Sequence, residues 1–185
     1  MIGFAMCGSY CTHKKALEQL QLLTQISEVQ PIMSENVYLT STHFGTAEEL
    51  RKKVSMMCGR NIIHSVVEAE PLGPKTPLDA LIICPCTGNT LAKIASGITD
   101  TSVTMAAKAH LRSDRPLIIA LASNDALSSN LKNIGTLLLR KCVYFVPMQQ
   151  DDPVKKPHSL VADFSLLLPT YNAAICGKQY QKIFI

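Results

Sequence analysis

Short apolar runs separated by amphipathic segments constrain the fold of this chain more than any other feature. Each run is four to seven residues long, which is the length and composition of a strand buried on both faces. The runs are residues 2–7, 29–33, 80–84, 116–122 and 143–146, with residues 62–67 as a weaker candidate. Strands that alternate with helices predict a mostly parallel sheet covered on both faces. We therefore expect a three-layer α/β/α Rossmann-like (flavodoxin-like) fold in a single domain over residues 1–185.

The segments between these runs carry apolar residues at helical spacing. Helices are predicted over residues 14–26 and 101–112, around Leu131, and from Leu160 through Leu167. A further helix begins with Thr46 and Glu49, which have the spacing of a capping box, and Gly59 is expected to end it. Asp100 is the expected cap for residues 101–112. Pro169 is expected to break or kink the last helix.

The composition limits the classes of partner. Only 17% of residues are charged, against roughly 25% in an average soluble domain. A sheet buried on both faces and surface lost to self-association both predict such a deficit. The net charge of +4 is mild and its lysines and arginines are dispersed, so nucleic acid is not an expected partner.

The cysteines and the apolar runs indicate the compartment. There are seven cysteines and no CxxC pair, which is typical of reduced thiols that act as small hydrophobic residues. Cys84 and Cys86 have poor spacing for zinc, so no metal is predicted. No basic leader and no apolar run of about 20 residues is present. We expect a soluble, cytoplasmic protein without membrane association.

Four turns that follow predicted strands are candidates for a ligand site. In a doubly wound sheet, ligands bind at the carboxyl ends of the strands. Glycine permits close approach, and hydroxyl and amide groups supply donors and acceptors. The candidate residues are Gly8 and Ser9; Ser34; Pro85, Thr87, Gly88, Asn89 and Thr90; and Ser123 and Asn124. For three turns a structural role is also open: a tight turn at Gly8, a turn cap at Ser34, and a helix cap at Ser123 or Asp125.

Three residues, His43, Lys108 and Arg112, are candidates for a catalytic or substrate-binding role. His43 lies in a predicted loop that could overhang the strand ends, which makes it a weak catalytic candidate. Lys108 and Arg112 share a helix face at i, i+4 spacing. They could bind a dicarboxylate or form a solvated face.

The stretch "PCTGNTLAKIASGITD" (residues 85–100) resembles the PASANT-type motif and following helix of the homo-oligomeric flavin-containing cysteine decarboxylase family. That resemblance implies FMN as cofactor, with Gly8 and Ser9 at its phosphate and Ser34 near the flavin. Ser123, Asn124 and Asp125 fall where the decarboxylases carry a PxMN motif. The family builds trimers, often stacked into dodecamers, with flavin sites at subunit contacts.

The segments "EAEPLGPK", "QDDPVKKP" and "GKQYQ" resemble a narrower group in that family. Its members are B subunits of two-subunit enzymes that make an aromatic dicarboxylate in the mother cell of spore-forming bacteria. The resemblance implies oxidation of a dihydropyridine dicarboxylate, or of its hydrated precursor, through FMN. It also implies a partner A subunit, and carboxylate contacts for which Lys75, Lys108 and Arg112 are candidates.

Two departures from the decarboxylase pattern limit what the resemblance implies. The catalytic histidine of the decarboxylases would fall at about Pro71, and no histidine is near. The substrate clamp after the PxMN position is also missing. We therefore do not expect the usual decarboxylation or a prenyl transfer. Two alternatives stay open: a non-catalytic scaffold or specificity subunit for an NAD(P)-dependent A subunit, and a divergent flavin-dependent decarboxylase.

Overall fold

The computed structural model of the chain describes residues 1–73 and 75–185. Its strands are β1 (Ile2–Met6), β2 (Val29–Met33), β3 (Ala80–Cys86), β4 (Leu117–Ser123), β5 (Val143–Phe145), β6 (Met148–Gln150) and β7 (Leu160–Ala162). Its α-helices are α1 (His13–Ile26), α2 (Glu35–Leu39), α3 (Ala47–Cys58), α4 (Val66–Ala69), α5 (Gly88–Ser96), α6 (Ser102–Leu111), α7 (Leu131–Leu138) and α8 (Leu167–Ile175). The five main predicted strands are all present, within two residues at each end.

One seven-stranded sheet organises the chain, in the order β2-β1-β3-β4-β7-β6, with β5 pairing with β4. Strands β1 to β5 pair in parallel, whereas β7 pairs antiparallel with β4 and β6. The predicted mostly parallel sheet is therefore confirmed. The two short antiparallel strands were not predicted.

The central strands bury side chains on both faces, as their continuous apolar composition requires. On β4, Ile119 packs with α4 to α7 on one face, whereas Ile118 packs with α1, α3 and α8 on the other. All seven residues of β3 and of β4 are buried. The three-layer α/β/α prediction is confirmed, and a doubly covered sheet accounts for part of the low charge content.

Local capping signals set several helix ends. Thr46 and Glu49 form the predicted capping box, and Gly59 ends α3 with a φ of 62°. The cap predicted at Asp100 is wrong: Thr101 caps α6 and accepts a hydrogen bond from the Thr104 backbone N–H. The Asp100 carboxylate instead pairs with the Lys93 ammonium at 2.8 Å.

The weak strand predicted at residues 62–67 is also wrong. Ile63 forms one isolated bridge with Ile32. Ser65 and Glu68 then form a capping box that starts α4. This local helix signal outweighs the apolar composition of the segment.

The C-terminal region departs most from the prediction. Leu160 lies in β7 rather than in a helix, because β4 offers an edge with which it pairs. Pro169 does not break α8, because it is the third residue of that helix. In a first turn the backbone N–H has no intrahelical acceptor, so proline removes no hydrogen bond there.

All seven cysteines are free thiols, as predicted, and Cys7, Cys84 and Cys86 are buried. Across residues 1–73 and 75–185, no helix combines the length and the apolar character needed to cross a bilayer.

Candidate functional site

The carboxyl edge of the parallel sheet brings the four candidate turns together. The Ser34 N–H donates to the Met6 carbonyl at 3.0 Å, which joins the turns after β1 and β2. The Cys7 N–H donates to the Pro85 carbonyl at 3.1 Å, which joins the turns after β1 and β3. A close contact at Gly88 joins the turn after β4 to the turn after β3. The four predicted turns therefore lie side by side at one edge.

The turn after β1 presents free backbone donors. No protein acceptor contacts the N–H groups of Gly8 and Ser9 within the described residues. A 3₁₀ turn over Tyr10–Thr12 then leads into α1, and the Thr12 hydroxyl donates to the Ser9 carbonyl at 2.8 Å. The His13 Nε2 lies 2.8 Å from the Cys7 carbonyl and fixes the end of β1. Burial lowers the pKa of His13, so its ring is neutral at pH 7.

The turn after β2 serves as a helix cap. The Ser34 hydroxyl accepts a hydrogen bond from the Val37 N–H, although that contact is long at 3.4 Å. Glu35, which the sequence did not single out, accepts from the Ser102 N–H at 3.0 Å. A carboxylate at this position binds the first turn of α6, where the free N–H groups favour negative charge.

The turn after β3 is shorter than predicted, because β3 extends through Pro85 to Cys86. Thr87 caps α5 by accepting from the Thr90 N–H at 3.2 Å, and the Thr90 hydroxyl contacts the Cys7 sulfur at 3.4 Å. Asn89 is exposed in the first turn of α5. Of the polar side chains in this turn, Asn89 is therefore available to a ligand, whereas Thr87 and Thr90 support the helix start.

The turn after β4 carries a compact polar network. The Asp125 carboxylate accepts from the Ser123 hydroxyl and from the Asn130 amide, whose nitrogen lies 2.9 Å from both carboxylate oxygens. The Ser123 hydrogen bond is the main cause that lowers the pKa of Asp125. Neither Ser123 nor Asp125 caps α7. Asn124 is exposed beside this network.

Gly88 is the contact between the third and fourth turns. A Cβ at this position would lie 2.7 Å from Asn130 Nδ2 and from Asp125 Oδ1, and closer still to Ser123 Oγ. A side chain at residue 88 would therefore separate the two turns. Glycine is required here by close packing rather than by its φ angle.

Burial makes the thiols beneath the carboxyl edge of the sheet unreactive. Burial raises the pKa of Cys7 to about 11, and it also raises those of Cys84 and Cys86 well above the usual range of a thiol. A thiol with such a pKa is protonated at pH 7 and is a poor nucleophile. Within residues 1–73 and 75–185, no group of three or more His, Cys, Asp or Glu residues is placed to hold a metal ion.

The cations predicted to bind substrate carboxylates lie at the wrong edge within one chain. Ser102 begins α6 at the carboxyl edge, where its hydroxyl donates to the Met33 carbonyl at 2.6 Å. Lys108 and Arg112 lie about 9 and 15 Å further along that helix, given 1.5 Å per residue. Lys75 is exposed in the turn before β3, at the opposite edge. Arg112 is the C-cap residue of α6, and both side chains are exposed. Their spacing in the sequence did not indicate which end of the sheet they reach.

His43 does lie at the carboxyl edge, in the loop between α2 and α3. It is exposed, and its ring centroid lies 3.9 Å from that of Phe44. No hydrogen bond joins the His43 side chain to another described residue. The histidine therefore lacks the orienting partner that a general base needs.

A cavity of about 430 Å³ opens beside the first turn, between the start of α1, α3 and the loop before α3. Tyr10 lines the cavity and also contacts the first turn, because its ring lies 3.5 Å from the position that a Gly8 Cβ would take. This cavity was not predicted from the sequence. The sequence places Lys14 and Lys15 in the first turn of α1, where cations are unfavourable, and of these two Lys14 lines the cavity.

Comparison with known proteins identifies the family of this chain. The family model described as Flavoprotein matches residues 1–159. The FMN-dependent cysteine decarboxylase SpaF shares the fold, with a TM-score of 0.66 at 20% identity over 95% of both chains. The chain belongs to the flavoprotein family.

A narrower similarity runs over the full chain. The B subunit of dipicolinate synthase from Bacillus subtilis (strain 168) is 43% identical over 185 residues, which cover 100% of this chain and 92% of the relative. The crystal structure of the dipicolinate synthase B subunit from Bacillus halodurans C has a TM-score of 0.91 at 42% identity, covering 100% of this chain and 95% of that one. These matches confirm the narrower group that residues 68–75, 150–157 and 177–181 predicted.

Proposed function

We propose that this chain binds FMN at the carboxyl edge of its sheet and acts as the B subunit of a dipicolinate synthase. In this role it contributes to the oxidation of dihydrodipicolinate, or of its hydrated precursor, during sporulation. The full-length similarity to the B subunit of dipicolinate synthase carries the substrate assignment. The observation that carries the cofactor assignment is the convergence of four polar turns at one edge.

The first turn has the donors that a phosphate needs. The N–H groups of Gly8 and Ser9 have no protein acceptor within the described residues, and the Ser9 side chain accepts and donates no hydrogen bond there. Three unsatisfied donors beside a helix start form a suitable anion site. The residues present therefore fit the phosphate of FMN.

The third and fourth turns fit the polar edge of a flavin ring. Asn89 and Asn124 are exposed at this edge, and each offers both a donor and an acceptor. Carbonyl and N–H groups alternate along the flavin pyrimidine edge, which matches such amide groups. The close contact at Gly88 holds these two turns together, and the hydrogen bond from the Cys7 N–H to the Pro85 carbonyl joins the third turn to the first.

Bound FMN would supply hydride acceptance, and the protein would supply position and electrostatics. Oxidation of a dihydropyridine dicarboxylate removes one hydride and one proton and leaves an aromatic ring. Asp125 and Glu35 are the carboxylates beside the turns, and both accept hydrogen bonds from protein donors. These networks hold the turns in place.

A scaffold role is the second candidate, and two observations favour it. Both carboxylates at the edge are held by protein donors, and His43 has no orienting partner among the described residues. If the A subunit carries out the dehydrogenation with its own nicotinamide cofactor, this chain would position its partner or select the substrate.

The absorbance spectrum of the purified chain, with and without the A subunit, tests the two candidates. An FMN-bound chain absorbs near ~450 nm, and this band bleaches when substrate is added without oxygen. A colourless chain that FMN cannot reconstitute would support the scaffold role.

Asn89→Asp tests the third turn without disturbing the fold. An acidic residue in the first turn of α5 is favourable for the helix dipole, so the melting temperature should not fall. The added charge should repel the electron-rich flavin carbonyls and weaken FMN binding by about tenfold or more. Glu18→Gln, on an exposed position of α1, serves as the control. Unchanged FMN affinity in Asn89→Asp would remove this turn from the site.

We also propose that the chain self-associates. Several large apolar side chains are exposed, including Leu39, Met56 and Leu139, with 72%, 82% and 91% of their surface accessible. Such side chains favour self-association, and the family resemblance implies a trimer or a dodecamer in which flavin sites lie at subunit contacts. Lys108 and Arg112 could then approach a neighbouring subunit's site. Size-exclusion chromatography with light scattering should show the oligomer, and a monomer would refute it.

A further inference from the structure

The cavity beside the first turn has the size and walls of a small-molecule site. Its volume of about 430 Å³ lies in the range of ligand pockets. Leu17 and Leu50 contribute apolar surface from α1 and α3, and Tyr10 and Phe44 contribute aromatic rings. Flat apolar walls of this kind suit a planar ring.

Two lysines on different helices give the cavity a positive charge. Lys14 lines it from α1 and Lys53 from α3. Neither ammonium has an ion-pair partner in the part of the chain that the structure describes. The carboxylate of Glu49 also lines the cavity, but it accepts from the Thr46 N–H and hydroxyl at 3.2 and 2.7 Å. The cavity is therefore lined by two cations and by one carboxylate, which already accepts the hydrogen bonds of a helix cap.

The first turn of α1 strengthens the case for an anion. That turn contains no acidic residue, and no side chain of residues 1–73 or 75–185 caps it. It carries Lys14 and Lys15, although cations at a helix N-terminus are unfavourable. An anion bound beside Lys14 would offset this repulsion.

We propose that this cavity binds a small planar dianion of the aromatic or dihydroaromatic dicarboxylate class, with one carboxylate at Lys14 and the other at Lys53. The identity of the ring rests on the proposed function, whereas the site rests on the cavity and its charges. The bound ring lies between Tyr10 and Phe44. Because Tyr10 also covers Gly8, the dicarboxylate lies next to the turn that receives the cofactor phosphate.

Isothermal titration of the FMN-free chain with pyridine-2,6-dicarboxylate tests the proposal. Lys14→Gln and Lys53→Gln should each weaken binding by about tenfold, the loss expected for one charge-assisted hydrogen bond. Lys15→Gln and Lys52→Gln are matched controls on the same helices, because neither side chain lines the cavity and Lys52 pairs with Glu48. The controls should bind as the unmodified chain does.

A monocarboxylate, pyridine-2-carboxylate, tests whether both cations act on one ligand. The unmodified chain should bind it about tenfold more weakly than the dicarboxylate. Dicarboxylate binding that neither cavity variant weakens would overturn the proposal, as would the absence of binding at millimolar concentration.

Titration of the same variants with FMN separates this site from the proposed cofactor site. FMN affinity should be unchanged in Lys14→Gln and Lys53→Gln. If these variants lose FMN binding instead of dicarboxylate binding, the cavity holds part of the flavin and the proposal is wrong. If the unmodified chain fails to bind FMN while dicarboxylate binding depends on both lysines, the proposed FMN function fails and this site stands.

Discussion

Gly88→Ala tests the close packing that joins the third and fourth turns. The added Cβ would lie 2.7 Å from Asn130 Nδ2 and Asp125 Oδ1 and nearer to Ser123 Oγ. Those atoms belong to one hydrogen-bonded network, so none of them moves without loosening the others. Overpacking of this kind costs about 1–3 kcal/mol. The gain from replacing glycine in a helix is at most ~1 kcal/mol and smaller at its first residue.

The expected net loss of stability is about 1–2 kcal/mol, which corresponds to a fall in melting temperature of roughly 3–6 °C for a chain of this size. Thermal unfolding followed by circular dichroism measures it. Gly135→Ala is the matched control: this glycine lies within α7, and a Cβ there meets no atom of the described residues within 4 Å. The control should gain up to ~1 kcal/mol. If Gly88→Ala melts at or above the unmodified chain, or if both variants lose the same stability, close packing is not what requires glycine at residue 88.

The remaining predictions concern pH, capping and thiol reactivity. The depressed pKa of Asp125 contributes stability that is present above about pH 4 and lost as the pH falls through the lower folded-state value. Asp125→Asn should therefore lower stability at pH 7 and flatten its decline below pH ~4 in urea unfolding; an unchanged pH profile would contradict this. Thr46→Ala removes the capping box and should cost about 1 kcal/mol in the same assay, and no loss would refute the role of the cap. Iodoacetamide should label the exposed Cys11 in the native protein and the buried Cys84 only on unfolding; rapid native labelling of Cys84, seen by peptide mass, would be inconsistent with its burial.

The core of the fold was predictable because its signal is repeated along the chain. Each central strand is a continuous apolar run, and only burial on both faces explains such runs. The short strands β6 and β7 were not predictable in the same way. Each of these strands has only three residues. β7 pairs with the edge of β4, and β6 pairs with β7, so both depend on β4 being in place.

Helix ends were predictable where one local motif acted without competition. Thr46 was identified correctly, whereas Asp100 was preferred to the adjacent Thr101, although both are good caps. The choice between them depends on tertiary contacts, because Lys93 binds the Asp100 carboxylate. Similarly, Pro169 is compatible with a helix start or a helix end, and local sequence does not distinguish them.

The position of the candidate site followed from topology, since strand ends of a parallel sheet share one edge. The roles of its individual side chains could not be predicted from topology. The hydroxyls of Thr87 and Ser34 accept capping hydrogen bonds, a role that the sequence left open for Ser34 but did not indicate for Thr87. Lys14 and Lys53 meet in one cavity only because α1 and α3 pack in the same layer, and no local spacing connects them.

A crystal structure of the chain soaked with FMN tests the central claim most directly. We predict the phosphate within hydrogen-bond distance of the Gly8 and Ser9 N–H groups, and the ring beside Asn89 and Asn124. Flavin bound in the cavity beyond Tyr10, or bound with none of these four residues in contact, would contradict the proposed site.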